Sequence, residues 1–271
     1  MKNLRLIALL ALAVFWAVPA VRAEVPISPK MAKAVRPITT EEEIDMGREV
    51  AANVIAQFGL SQDEALSEYV NLVGLTVARA APRQDVAYRF AVLDTGVVNA
   101  LAAPGGYIFV TKGLLALLKD EAQLAAVLAH EIAHVSQRHV VEAVRKSRIA
   151  DAVIPNYVKA SARKAEFMSQ VADLAVETAW KGLSREDELQ ADRLGIEYAA
   201  KAGYDTAAYR EVLESIKERS GSPDASKELK FLLSTHPKAE DRLAAVDEAL
   251  KTASLKGSRL EDRFKKSTEK N

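Results

Sequence analysis

Asp120-Glu121-Ala122-Gln123-Leu124-Ala125-Ala126-Val127-Leu128-Ala129-His130-Glu131-Ile132-Ala133-His134 reads as a helix that is apolar over most of its surface and closes on two histidines and a glutamate. Asp120 is an N-cap residue, and the pattern predicts a helix continuing to about Val144. Residues i and i+4 share a helical face, so the imidazoles of His130 and His134 can grip one ion. Glu131 is turned about 100° away. It can touch a metal-held water without ligating the metal. Zinc lowers the pKa of such a water to about 7, and a neighbouring carboxylate takes the proton as attack begins. Two histidines and a glutamate on a buried helix need partners or a metal, because unpaired burial is costly. The competing reading is a helix charge pair that mimics the motif.

Only two further histidines exist, His139 and His236. No histidine follows His134 at the spacing that would complete a third metal ligand on the same segment. His139 lies five residues after His134, about 140° round a continuous helix. It is expected to face away from the metal as a structural or exposed residue. A carboxylate source lies later, in Ser184-Arg185-Glu186-Asp187-Glu188-Leu189-Gln190-Ala191-Asp192. Glu188 and Asp192 are i and i+4. Glu188 can complete a His-His-Glu site with an open fourth position, and Asp192 can accept the free ring N–H of a ligand histidine. Equally, Glu186, Asp187 and Glu188 suit the solvated acidic start of a helix.

The rest of the chain sets these segments in a mainly helical protein with one small sheet. Thr40 with Glu43 is read as a capping box opening a helix through Phe58, and Ser61 with Glu64 as a second box opening a helix that stops before Pro82. Tyr88 to Leu93 and Tyr107 to Thr111 are strand candidates, the second following Pro104-Gly105-Gly106. Arg148 to Ala165, with Pro155, is read as a loop or broken helix, and Phe167 to Trp180 as helical. Ser184 caps a helix ending at Gly203, and further helices are expected near 206–219 and 238–251.

Composition narrows the function classes. The chain has 271 residues, 49% hydrophobic and 27% charged, which excludes wholesale disorder. Its 37 basic residues equal its 37 acidic ones, which argues against a nucleic-acid partner. It has no cysteine, so disulfides, thiolate chemistry and lipid attachment at cysteine are excluded. Lys2 and Arg5, the uncharged run Leu6 to Val18, and Val21-Arg22-Ala23 read as a signal peptide cut after Ala23. The alternative is a membrane anchor, for which the run is short against about 20 residues. Cleavage removes Lys2, Arg5 and Arg22, so 37 basic residues become 34 against an unchanged 37 acidic ones. The expected organisation is a signal peptide over 1–23, an extended lead-in over 24–38, one catalytic domain over 39–255, and a charged, frayed tail over 256–271. The mature protein is expected to be periplasmic, not a lipoprotein, and without stable membrane insertion.

Four blocks resemble the HtpX-like and BepA-like zinc metallopeptidases, a family that includes the Oma-type and CAAX prenyl proteases. They are Asn99 to Thr111, Leu128 to His134, Ser184-Arg185 with Glu188 and Ala191-Asp192, and Ser234-Thr235-His236-Pro237 with Arg242. With the first helix they span roughly residues 40 to 250. The resemblance implies a zincin-like α+β metallopeptidase fold and one zinc ion per chain on His130, His134 and Glu188, with Glu131 as general base. It implies that Tyr107, Ile108, Phe109 and Val110 form an edge strand that pairs with a peptide substrate. It also implies that His236 approaches the metal, where it takes the open position in a latent state or, moved aside, acts catalytically by stabilising the tetrahedral intermediate; otherwise it is a loop histidine before a proline. Arg242 either stabilises the developing oxyanion or makes a structural salt bridge. The chain is expected to depart from many relatives in having no spanning helix after the signal and no helical repeat array. Unfolded or misfolded polypeptides of the cell envelope are the expected substrates, in protein quality control. A holdase-like binding module and a zinc-binding regulatory domain are the rival functions, and oligomeric state is left open.

Overall fold

A computed structural model describes residues 35–153, 182–220, 229, 232–236, 239–253 and 256–269. The first helix, α1, spans Thr40–Phe58. Its capping box uses Thr39 and Glu42, one residue earlier than expected from Thr40 and Glu43. Thr39-Thr40 and Glu41-Glu42-Glu43 offer both registers, and burial decides between them. Glu43 is 1% exposed. It is committed to a bidentate pair with Arg83, at 2.7 and 2.9 Å, and to the Gly105 N–H. Helix α2, Glu64–Ala78, is likewise capped by Asp63, not by Ser61. The Ser61 hydroxyl instead accepts from Asp63 N–H at 3.2 Å.

Three strands follow: β1 (Arg89–Leu93), β2 (Ala100–Ala103) and β3 (Tyr107–Thr111). Their order is β1-β3-β2, with β1 parallel and β2 antiparallel to β3. Tyr107 to Val110 therefore lie on the central strand, and the expectation of an edge strand there is wrong. The 3-10 turn Pro104–Gly106 folds the chain back on itself, so Ala100–Ala103 pairs outside β3. Gly105 and Gly106 hold φ of +71° and +96°, which a residue with a Cβ resists. The sequence Ala-Leu-Ala-Ala carries little strand propensity, so β2 is invisible without its partner. Leu60 and Ser61 bridge to the outer side of β1.

Thr111 caps the short α3, Lys112–Leu115. Helix α4, Glu121–Ser136, is buried along nearly its whole length, from Glu121 to Val135. It stops eight residues short of Val144, because Arg138 takes a left-handed φ of +59°. Arg138 is held there by a hydrogen bond to Ile38 O at 2.7 Å and by Glu43. No glycine or proline marks this break; tertiary contacts impose it. Helix α5, His139–Val153, then runs past Arg148 into the stretch read as a loop or broken helix. Pro155 and the helix expected over Phe167 to Trp180 lie outside the described residues.

Ser184 caps α6, Arg185–Lys201, with Asp187 completing a capping box. Helices α7 (Ala207–Ser220) and α8 (Ala239–Leu250) pack on α4 and α6. The tail is not frayed through Glu269. Helix α9, Glu261–Thr268, buries Phe264 to 3% exposure. Arg263 pairs with the fully buried Glu121, and Arg259 bonds Asp120 at 3.0 Å and also reaches Glu211. One aromatic anchor and two arginines dock an otherwise polar segment on the start of α4. No helix among the described residues is long and apolar enough to cross a membrane.

Candidate metal centre

His130 and His134 project from one face of α4, and their Nε2 atoms lie 3.0 Å apart. Glu188 enters from the first turn of α6, with Oε2 at 3.5 Å from His130 Nε2 and Oε1 at 3.5 Å from His134 Nε2. His236 completes the group, with Nδ1 at 2.8 Å from Glu188 Oε2. One donor atom from each of the four lies within 4.8 Å of every other. Tetrahedral donors about 2.0–2.1 Å from zinc stand roughly 3.3–3.4 Å from one another. Separations of 2.8 to 3.5 Å are thus the right size for an ion at the centre. Glu188 Oε1 supports the same fit, being buried with no hydrogen-bond partner. An orphaned carboxylate oxygen at that depth is costly unless a cation faces it. The group of donors, two or three imidazoles and one carboxylate, is the set zinc favours.

Two close approaches make this convergence possible. Gly195 of α6 lies against α4, where an added Cβ would stand 3.0 Å from His130 N. Gly182, at φ +84°, lies against the turn carrying His236, where a Cβ would stand 2.4 Å from Thr235 O. Gly195 lets α6 lie on α4, and Gly182 lets the chain before α6 lie on the turn that carries His236.

Behind the donors is a second layer. Asp192 Oδ1 sits 2.9 Å from His130 Nδ1, in position to accept that ring's free N–H. Tyr209 of α7 bonds both Asp192, at 2.6 Å, and His130 Nδ1, at 3.0 Å. Arg242 forms a bidentate pair with Asp192, at 2.9 and 2.5 Å, and is 6% exposed. The guanidinium makes the salt bridge and also lies at the donor group, 3.5 Å from Glu188 Oε2 and 3.5 Å from His130 Nε2. Sequence reasoning missed Tyr209; a tyrosine at a helix start carries no signal without its neighbours. His139 stays outside the donor group, as expected, but is buried and not on a continuous helix. The break at Arg138 turns His139 back beneath α4, where it is 4% exposed and its Nδ1 meets His134 Nδ1 at 2.8 Å.

Charge follows this packing. Burial would raise the Glu188 carboxyl, but His236 and His130 outweigh it and hold it well below the usual range. Burial and neighbouring His130 push His134 well below an ordinary histidine, which favours the neutral ring a metal requires. Burial pushes the Glu131 carboxyl up, the direction suited to a proton acceptor.

Glu131 and His236 line two small cavities on either side of the donor group. One is closed by Ala100, Leu114, Val127, Val212, Leu213 and Ile216. The other meets Leu101, Ala102, Leu183 and Thr235. Strand β2 contributes to both, so it spans the centre.

A family model described as peptidase family M48 matches residues 64–250. The chain is 27% identical over 210 residues to the β-barrel assembly-enhancing protease of Escherichia coli (strain K12), covering 75% of this chain and 42% of that protein. It is 31% identical over 188 residues to the putative β-barrel assembly-enhancing protease of Vibrio cholerae, covering 67% of this chain and 38% of that protein. It is 28% identical over 236 residues to the mitochondrial metalloendopeptidase OMA1 of Schizosaccharomyces pombe, covering 86% of this chain and 67% of that protein. The chain thus spans about two-fifths of the length of the bacterial relatives it matches. The match runs from α2 to the end of α8 and takes in every residue of the donor group, and on this ground the chain belongs to peptidase family M48.

Proposed function

We propose that this metallopeptidase is a zinc endopeptidase in which His130, His134 and Glu188 hold the ion and Glu131 is the general base. The supporting observation is the convergence of one donor atom from each of four residues within 4.8 Å of one another, with Glu188 Oε1 buried and without a hydrogen-bond partner. Bound zinc would supply Lewis-acid polarisation and lower the pKa of the water it holds to about 7. Glu131 takes the proton of the attacking water and returns it to the leaving amine, and its burial keeps it basic enough to do so. Asp192 holds His130 in the tautomer whose Nε2 is free of a proton, and Arg242 and Tyr209 hold Asp192.

The substrate pairs with the edge of β2 that no described strand occupies, so that its side chains enter the cavities on both sides of Glu131. This assigns to Ala100–Ala103 the role first expected of Tyr107 to Val110. Main-chain pairing gives affinity with little sequence preference. That suits unfolded or misfolded polypeptides in the envelope, after export by the signal peptide and periplasmic release. His236 supports a second reading. It is already among the donors, so a latent state with four protein ligands competes with an open one.

The test is Glu131→Gln, with metal content and casein hydrolysis measured together. Zinc should be retained, while turnover falls by roughly 10²–10⁴-fold, the usual contribution of general-base catalysis. Substantial turnover in that variant removes Glu131 from its role. Wild-type protein that binds unfolded casein but never cleaves it favours the holdase rival.

A further inference from the structure

His139 is absent from the donor group, yet it is buried against one of its members. It opens α5, directly after the left-handed Arg138 that ends α4. That turn brings its ring to His134 at a centroid distance of 5.0 Å, in an edge-on arrangement. The two Nδ1 atoms are 2.8 Å apart. Two ring nitrogens at that distance need one proton between them, donated by one and accepted by the other.

The direction follows from the rest of the chain of contacts. His134 Nε2 faces His130 Nε2 at 3.0 Å and Glu188 Oε1 at 3.5 Å, so it points into the donor group. A nitrogen that ligates a metal carries no proton. The neutral ring of His134 therefore keeps its proton on Nδ1 and donates it to His139 Nδ1. His139 must then be the tautomer protonated on Nε2. Its Nε2 lies 3.0 Å from Gln190 Oε1, an acceptor that fits this tautomer and no other neutral one. The amide nitrogen of Gln190 in turn faces Gln137 Oε1 at 3.4 Å. Every donor meets an acceptor, and the sequence of bonds runs one way from His134 to Gln137. Gln190 lies two residues beyond Glu188 on α6. The same bonds therefore tie α4, α5 and α6 around the donors.

We propose that His139 is a positioning residue that fixes the ring and the tautomer of His134 for metal binding, as Asp192 does for His130. The two supports differ in charge. Asp192 is an anion neutralised by Arg242, whereas His139 accepts as a neutral ring and donates its own Nε2–H to the Gln190 amide oxygen, with Asp187 Oδ1 3.8 Å from the same nitrogen. This inference rests on the reading of His134 as a zinc ligand.

The test compares zinc affinity, measured by competition with a colorimetric chelator, in wild type, His139→Asn, His139→Gln and His134→Ala. Asparagine places an oxygen acceptor at the δ position and should stay within about threefold of wild type. Glutamine reaches the ε position, keeps the link to Gln190 and loses the acceptor for His134. It should bind zinc roughly 10–100-fold more weakly, the range for loss of a supporting partner. Both replacements are polar and of similar size, so a purely structural role would affect them alike in the thermal unfolding of the metal-free protein. Equal zinc affinity in His139→Gln and wild type overturns the proposal, as does equal weakening in both His139 variants. Undiminished affinity in His134→Ala overturns the metal reading itself, and the proposal with it.

Discussion

Gly195→Ala pits helix propensity against helix packing at the metal centre. Gly195 lies in the interior of α6, where alanine is favoured over glycine by about 1 kcal/mol. Its position in the fold opposes that gain. The new Cβ would stand 3.0 Å from His130 N, 3.1 Å from His130 Cα and 3.2 Å from Ala129 C. All three are backbone atoms of a buried helix and cannot swing aside. Ordinary contact begins near 3.4 Å, so α6 and α4 must separate by about 0.4 Å. Overpacking of this kind costs about 1–3 kcal/mol. The metal-free variant should therefore lose about 0–2 kcal/mol of stability. The functional consequence is sharper. Glu188 and Asp192 ride on α6, and His130 and His134 on α4. Zinc sites tolerate distance changes of only about 0.2 Å. Zinc affinity should fall by roughly tenfold, toward the lower end of losses at supporting positions. Urea unfolding of the metal-free protein, with chelator competition for zinc, measures both. A variant stabilised by about 1 kcal/mol with unchanged zinc affinity would show propensity acting alone and refute the packing argument.

His236→Ala, assayed with zinc occupancy held constant, should lose roughly 10²-fold in rate at saturating substrate, the scale for losing a donor to the developing oxyanion. A rise in rate means that the ring blocks the open position, and equality with wild type in both rate and zinc affinity removes His236 from the site. Arg259→Ala tests the docking of the tail. Arg259 holds the Glu211 carboxyl below its usual pKa, so this pair stabilises the fold fully above the unfolded value of about 4.3 and progressively less as pH falls. The variant should be less stable at pH 7 by roughly 1 kcal/mol or less, since the pair is partly exposed, with the gap closing below about pH 4; a gap independent of pH would show that Arg259 acts through packing alone.

Some of this protein follows from local chemistry, and those parts were legible in the chain. The i, i+4 spacing of His130 and His134 needs only helix geometry. Asp120 and Ser184 announce their helices because an N-cap acts on its own next three residues. Glu188 and Asp192 were paired by the same periodicity, although nothing local says that their helix meets the first.

What tertiary structure decided involves choices between locally equivalent options, or partners far away in sequence. Thr39 and Thr40 are equal as caps until Arg83 claims Glu43. A strand's place in a sheet depends on which segments flank it, so β3 could be recognised as a strand while its central position could not. Helix α4 continues on pattern to Val144, and it ends at Ser136 because Ile38 and Glu43 hold Arg138 left-handed. That single φ reverses the fate of His139, from a residue facing away to the neighbour of a metal-site histidine. The charged tail reads as frayed by composition, yet Arg263, 142 positions after the buried Glu121, supplies the cation that pairs with it. Sequence determines the His130–His134 pair because its geometry is intrahelical; the arrival of Glu188 and His236 and the supports behind them depend on long-range burial, in which an unpaired charge or polar group is the costliest outcome.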